Sequence, residues 1–178
     1  MRTPIKITVL LAIAFGCSVF FEPVARAGQN APKIAPAASP AKIGSAIPQF
    51  CLNDLDGRKF CLDQLRGKIV LIDFWASWCG PCKKEMPAYQ KFQDAYGPKG
   101  LVVIGIGISM DTPANLKKFA RALGVHYKLL MGTMRVQDAF GLKGIPTTLL
   151  VDRKGIVRAR VVGFGYPAKL KPKIQALL

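Results

Sequence analysis

The chain has 178 residues, 51% of them hydrophobic, and a formal net charge of +16 from 26 Lys and Arg against 10 Asp and Glu. That length allows one ordinary domain plus a leader, with enough apolar content for a core. So basic a chain raises nucleic acid as a partner, but the cations are scattered rather than interleaved with aromatics, which argues against it and leaves anionic membrane surfaces and acidic partners.

Residues 1–27 have the form of a secretory signal. Arg2 and Lys6 give a positive start, Ile7 to Phe21 is apolar, and Ala25-Arg26-Ala27 is a small-x-small cleavage site. The apolar run is short for a membrane span. An uncleaved anchor is the alternative. Lipid attachment at Cys17 is another, although Phe15 makes Ala14-Phe15-Gly16 a poor lipoprotein box. Cleavage before Gly28 removes Arg2, Lys6, Arg26, Glu22 and Cys17, leaving 23 basic and 9 acidic residues, net +14, and four cysteines. Export also weighs against nucleic acid, and an even cysteine count there fits two disulfide pairs. Residues 28–42, rich in Ala and Pro, are expected to be a linker. A single folded domain is expected over 43–178.

The first element is a hairpin. Phe50-Cys-Leu-Asn and Arg58-Lys-Phe-Cys-Leu62 flank Asp54-Leu-Asp-Gly57, a turn signal. With Leu55-Asp56-Gly57 as the loop and Gly57 left-handed, Asp54 faces Arg58 and Cys51 faces Cys61. Alternation makes Cys51–Cys61 a non-hydrogen-bonded pair, about 4.5 Å between Cα atoms, within reach of a disulfide. Phe50, Leu52, Phe60 and Leu62 then point to the core. The bridge is expected to be a structural staple; a second redox centre is the sharper alternative.

Asp63-Gln-Leu-Arg-Gly67 predicts a short helical turn. Ile69 to Phe74 is a buried strand, β-branched and aromatic with one charge inside it. That charge, Asp73, is costly in a strand interior unless hydrated, satisfied by backbone donors or functional. Cys79-Gly80-Pro81-Cys82 follows, with Pro81 suited to a helix's first turn. Unpaired N–H groups and the helix dipole stabilise a thiolate there, and the thiolate is the attacking species. Cys79 is therefore the expected nucleophile and Cys82 the resolving thiol. Half of a zinc site is the competing assignment, and needs a second ligand pair. The helix runs to about Tyr96 with Pro87 kinking it. Trp75 is expected in the core and Trp78 over the sulfurs.

Leu101 to Ser109 is a second buried strand of parallel type. A helix follows from Pro113 to about Leu123, with a polar cap before it and Gly124 as its stop. The alternation implies a right-handed βαβ crossover. Val125 to Leu130 predicts a short strand carrying the only His, His126, on the surface. Met134 to Phe140 is a short helix ended by Gly141. Leu149–Val151 and Ile156–Val162 flank Arg153-Lys-Gly155 as a hairpin, expected at the antiparallel edge of the sheet. Gly163 is placed where a substrate backbone could approach. A last helix, Tyr166 to Leu178, packs through Leu170, Ile174, Leu177 and Leu178.

Asp73-Phe-Trp-Ala-Ser-Trp-Cys-Gly-Pro-Cys82 resembles the active-site signature of the thioredoxin superfamily. Cys82-Lys-Lys-Glu85-Met-Pro87 and Gly144-Ile-Pro-Thr-Thr148 make it similar to the exported TlpA/ResA/CcmG-like branch. The resemblance implies a thioredoxin-like α/β fold: a central mixed β-sheet flanked by helices, with the N-terminal β-hairpin and a β-α insertion around 101–123. It implies Asp73 as proton acceptor for Cys82, with a pKa raised by desolvation; many members of the branch lack this Asp. It implies an acidic residue at Glu85 that tunes thiol ionisation, against a solvated helix charge. Ile145-Pro146 resembles the cis-proline loop that presents backbone to a client strand. Gly80 and Pro81 between the cysteines resemble the reducing thioredoxins, so the expected function is an extracytoplasmic, periplasmic thiol–disulfide reductase. Its clients would be protein disulfides such as apocytochrome c or copper-site cysteines, with re-reduction by a membrane thiol donor of DsbD/CcdA type. No cofactor or metal is required. A general disulfide oxidase or isomerase, and a copper carrier using the two thiols, are the rivals.

Overall fold

The computed structural model describes residues 40–108 and 110–178. The leader and all of the linker but its last three residues lie outside them. The strands are β1 (Cys51–Asn53), β2 (Lys59–Cys61), β3 (Ile69–Trp75), β4 (Leu101–Gly107), β5 (Lys128–Met131), β6 (Thr147–Val151) and β7 (Val157–Val162). The α-helices are α1 (Gly80–Tyr96), α2 (Pro113–Ala122), α3 (Met134–Phe140) and α4 (Pro167–Gln175).

β3 is buried along its whole length and sits at the centre of a five-stranded sheet in the order β5-β4-β3-β6-β7. It runs parallel to β4 and antiparallel to β6, so the sheet is mixed. Strand alternation divides its side chains between two cores. Ile69, Leu71 and Trp75 join Leu116 of α2, Met86 and Tyr89 of α1, and Leu170 and Ile174 of α4. Val70, Ile72 and Phe74 face Phe140 of α3 together with Phe50 and Leu52 from the first hairpin. Helices thus cover both faces in a thioredoxin-like α/β fold. α2 begins where the sequence predicts, because Thr112 accepts from the Asn115 amide and Pro113 needs no donor.

The hairpin register is the predicted one. Cys51 pairs with Cys61, Leu52 with Phe60 and Asn53 with Lys59. Gly57, at φ 80°, takes the left-handed position that a side chain would resist. Cys51 and Cys61 are joined, with Cα atoms 4.0 Å apart. The hairpin is tethered to β5 by a bridge between Asp54 and Leu130 and by Lys128 Nζ on Asp54 at 3.2 Å.

Three local expectations need correction. β5 starts at Lys128, so His126 precedes the strand: Gln90 Oε1 takes the amides of both His126 and Tyr127, drawing that segment onto α1. α4 ends at Gln175 and Leu178 is 36% exposed, so only Leu170, Ile174 and Leu177 pack. Ala41, which the sequence assigns to the linker, is already packed. Ala41 is buried, and its carbonyl accepts from Arg160, whose guanidinium also caps Phe140 and Gly141 at the end of α3. Phe60, expected to face the core, does so while half-buried, packed against the core cluster.

Candidate active site

The site is assembled at one end of the sheet. β3 delivers Trp75 to a turn at Ala76–Trp78, closed by the Cys79 amide on the Ala76 carbonyl at 3.0 Å. Cys79 is the N-cap of α1, and its Sγ accepts from the Cys82 amide at 3.2 Å. An amide of the helix's first turn therefore points at that sulfur, at the end of the helix where the dipole favours negative charge. Cys79 and Cys82 are joined in a disulfide, with Cα atoms 5.3 Å apart. Cys79 is 4% exposed and Cys82 fully buried. Cys51 and Cys61 are bonded to each other on the hairpin, so they are not free to complete a zinc site with this pair.

Ser77 Oγ donates to Asp111 Oδ2, tying the turn to the loop after β4. Trp78 is 71% exposed, which suits contact with an incoming chain better than the expected cover over the sulfurs. Phe164 is 55% exposed, with the Lys84 ammonium of α1 5.8 Å from its ring centroid.

Beside the cysteine turn, the Ile145–Pro146 peptide is cis. Phe74 pairs with Thr147, so Pro146 falls next to Trp75 where the turn leaves the sheet. Pro146 is buried and Ile145 half-buried. The Pro146 carbonyl is held by the Gly163 amide at 2.8 Å. Gly163 has a φ of 96° while a Cβ there would meet nothing within 4 Å; backbone conformation, not crowding, calls for glycine. Among the described residues no hydrogen bond uses the Ile145 amide or carbonyl, which leaves that backbone free for an added strand.

Under α1 lies a buried polar row. Thr148, Asp73 and Gly105 are in register across β6, β3 and β4. Asp73 is 1% exposed and Glu85 2%. Burial, and then the Glu85 charge, push the Asp73 carboxyl well above its usual range, with the Thr148 hydrogen bond working the other way. Asp73 Oδ2, Trp75 Nε1 and Tyr127 Oη are buried with no partner among the described residues. Glu85 is not the solvated charge that the simplest sequence interpretation allows. Its Oε1 accepts from the amides of Gly165 at 2.7 Å and Tyr166 at 3.2 Å, and its Oε2 from Tyr89 Oη at 3.2 Å. Tyr89 Oη in turn lies 2.9 Å from Thr148 Oγ1, and Thr148 Oγ1 lies 3.5 Å from Asp73 Oδ1.

The structure brings together Asp73, Cys79, Gly80, Pro81, Cys82 and Glu85 on β3 and the start of α1, with Ile145, Pro146 and Gly163 alongside. Sequence analysis missed Tyr89, Thr148, Asp111 and Phe164. Tyr89 follows Glu85 by four positions and Cys82 by seven, a helical spacing that carries the signal. Asp111 and Phe164 have no comparable local signature.

Residues 43–160 match the AhpC/TSA family. The thiol-disulfide oxidoreductase ResA of Geobacillus thermodenitrificans is 31% identical over 136 residues, 76% of this chain and 78% of the relative. ResA of Bacillus subtilis is 32% identical over 121 residues, 67% of each chain. Among solved structures, a thiol:disulfide interchange protein of the thioredoxin family from Chlorobium tepidum superposes with a TM-score of 0.68 at 27% identity, covering 76% of this chain and 97% of that one.

Proposed function

The chain belongs to the AhpC/TSA family, as a thioredoxin-like thiol–disulfide oxidoreductase, and we propose that Cys79 and Cys82 are its redox centre, reducing protein disulfides outside the cytoplasm. The observation that carries this is the Cys79 sulfur at the N-terminus of α1, accepting the Cys82 amide. In the reduced protein the same donor stabilises a Cys79 thiolate. That thiolate attacks one sulfur of a client disulfide; the S–S bond breaks and the other client sulfur leaves as thiolate. Cys82, deprotonated, then attacks Cys79 Sγ, closing the ring and releasing the client's second thiol. Two electrons pass to the client, and the chain ends in the bonded form seen here.

Asp73 takes the Cys82 proton, since its Oδ2 is buried and unpartnered. The open Ile145 backbone, held in place through Pro146 and Gly163, supports pairing with an extended client segment, and the exposed Trp78 and Phe164 offer apolar surface for contact. The Gly80-Pro81 pair and the resemblance to the exported branch favour a reductant acting on apocytochrome c or copper-site cysteines, recharged by a membrane thiol donor of DsbD/CcdA type. The signal-like form of residues 1–27 supports export and a periplasmic location.

Trapping tests this assignment. Cys82→Ala should accumulate a mixed disulfide on Cys79 that names the client, and Cys79→Ala should lose exchange with protein disulfides by at least a thousandfold, of the order seen when a nucleophile is removed. Undiminished exchange by Cys79→Ala would refute it.

A further inference from the structure

Tyr89 and Thr148 bridge two buried carboxylates with hydroxyl groups, and each hydroxyl has only one proton to give. From Asp73 the bridge runs through Thr148 Oγ1 at 3.5 Å and Tyr89 Oη at 2.9 Å to Glu85 Oε2 at 3.2 Å. Only two proton arrangements satisfy all three contacts with one carboxyl proton. In the first, protonated Asp73 donates to Thr148, Thr148 to Tyr89 and Tyr89 to ionised Glu85. In the second, every bond is reversed, with protonated Glu85 and ionised Asp73. Glu85 Oε1 also receives the Gly165 and Tyr166 amides, so the first arrangement is the resting one.

We propose that Tyr89 and Thr148 are positioning residues that form a reversible proton relay, making Glu85 the final acceptor of the proton that Cys82 loses. The proposal rests on Cys79–Cys82 being the redox centre. When Cys82 is to attack, the chain reverses. The Asp73 proton moves to Thr148, that of Thr148 to Tyr89 and that of Tyr89 to Glu85. Asp73 is now ionised, and its unpartnered Oδ2 takes the proton from Cys82 Sγ. One S–H and three O–H bonds break, and four O–H bonds form. Asp73 is neutral before and after, and the negative charge has passed from Glu85 to the Cys82 thiolate. The relay spares the site two adjacent buried carboxylates both ionised, the arrangement that burial and mutual repulsion oppose. Tyr89 stays protonated throughout, since burial and both carboxylates push its own ionisation far upward.

The groups facing the relay are Asp73 on β3, the two cysteines, Glu85 and Tyr89 on α1, Thr148 on β6 and buried Tyr127 ahead of β5. No cation forms an ion pair with Asp73 or Glu85 among the described residues.

Excess Ellman's reagent tests the relay on the reduced protein. It should release a first thionitrobenzoate as Cys79 attacks and a second as Cys82 closes the ring, so the second phase reports Cys82 deprotonation. In Thr148→Val and Tyr89→Phe, the pH midpoint of that phase should rise by about 1 unit and its rate at pH 7 fall about tenfold. Thr148→Ser, which restores the hydroxyl, should follow the parent. Tyr89→Phe keeps the ring in the core, so it reports on the hydroxyl even where Thr148→Val unfolds. Second-phase profiles in Tyr89→Phe and Thr148→Val that overlay the parent's overturn the relay and leave the redox centre standing. A parent protein with no Cys82-dependent second phase overturns both.

Discussion

Asp73 shows most directly how one residue ties chemistry to stability. Its carboxyl is 1% exposed and, among the described residues, touches a single hydroxyl, so its ionisation is opposed by desolvation first and by Glu85 second. The folded pKa lies above the unfolded value of 3.8. Between those two values the native state holds a proton that the unfolded chain releases, so stability falls as pH rises through the window. Asp73→Asn should therefore raise Tm at pH 7 by on the order of 5 °C, with the gain shrinking toward pH 4. Thermal melts at the two pH values check this, and an equal effect at both would show that ionisation is not the cause. The position of Asp73 in a buried strand was legible from sequence, because an acid inside Ile69–Phe74 has nowhere exposed to go. The burial of Glu85 was not. It depends on the chain at Gly165 and Tyr166 returning eighty residues later to donate two amides.

At the scale of elements, the first hairpin and the α1 N-terminus carry separate disulfides, for which we propose separate roles. The hairpin bridge spans ten residues of sequence and joins two strands of three residues each, too short to hold themselves. Replacing Cys51 and Cys61 together by Ala should cost about 2–3 kcal/mol in urea unfolding while leaving disulfide exchange unchanged; an equal loss of exchange would make the bridge a second redox centre. Its register was predictable because Gly57 sets the loop and strand period sets everything after it. β5 was misplaced by comparison. Its boundary is decided by Gln90, a residue on a distant helix that claims the amides of His126 and Tyr127. Local propensity has no access to such competition.

Across the described residues, charge pairing is one-sided. Among the described residues, ion pairs engage Arg58, Lys117, Lys128 and Arg158 with Asp54, Asp56 and Asp152, leaving most cations to solvent. The chain without residues 1–27 should therefore sediment with anionic vesicles and not with neutral ones. Raising salt from about 0.05 to 0.5 M should release it, as screening shortens from roughly 14 to 4 Å. Binding that ignores salt would point to apolar contact through the exposed rim at Trp78 and Phe164 instead. Arg160 shows the opposite use of a cation. Half-buried, it joins β7 to the end of α3 and to Ala41, which is why Ala41 packs although composition assigns it to a linker.

What the amino-acid order determined by itself was whatever depends on neighbours in the chain: strand and helix periods, the Thr112 cap, the hairpin register, and two cysteines three apart behind a buried strand. Family resemblance added the proline loop. Only tertiary structure decided which acids are buried and what they touch. Asp73, Glu85, Tyr89 and Thr148 come from β3, α1 and β6, and the hydrogen bonds between them exist because helix α1 lies across that one row of the sheet. Desolvation and hydrogen bonding depend on distance in space, and for groups up to 75 positions apart the chain settles that distance only by folding.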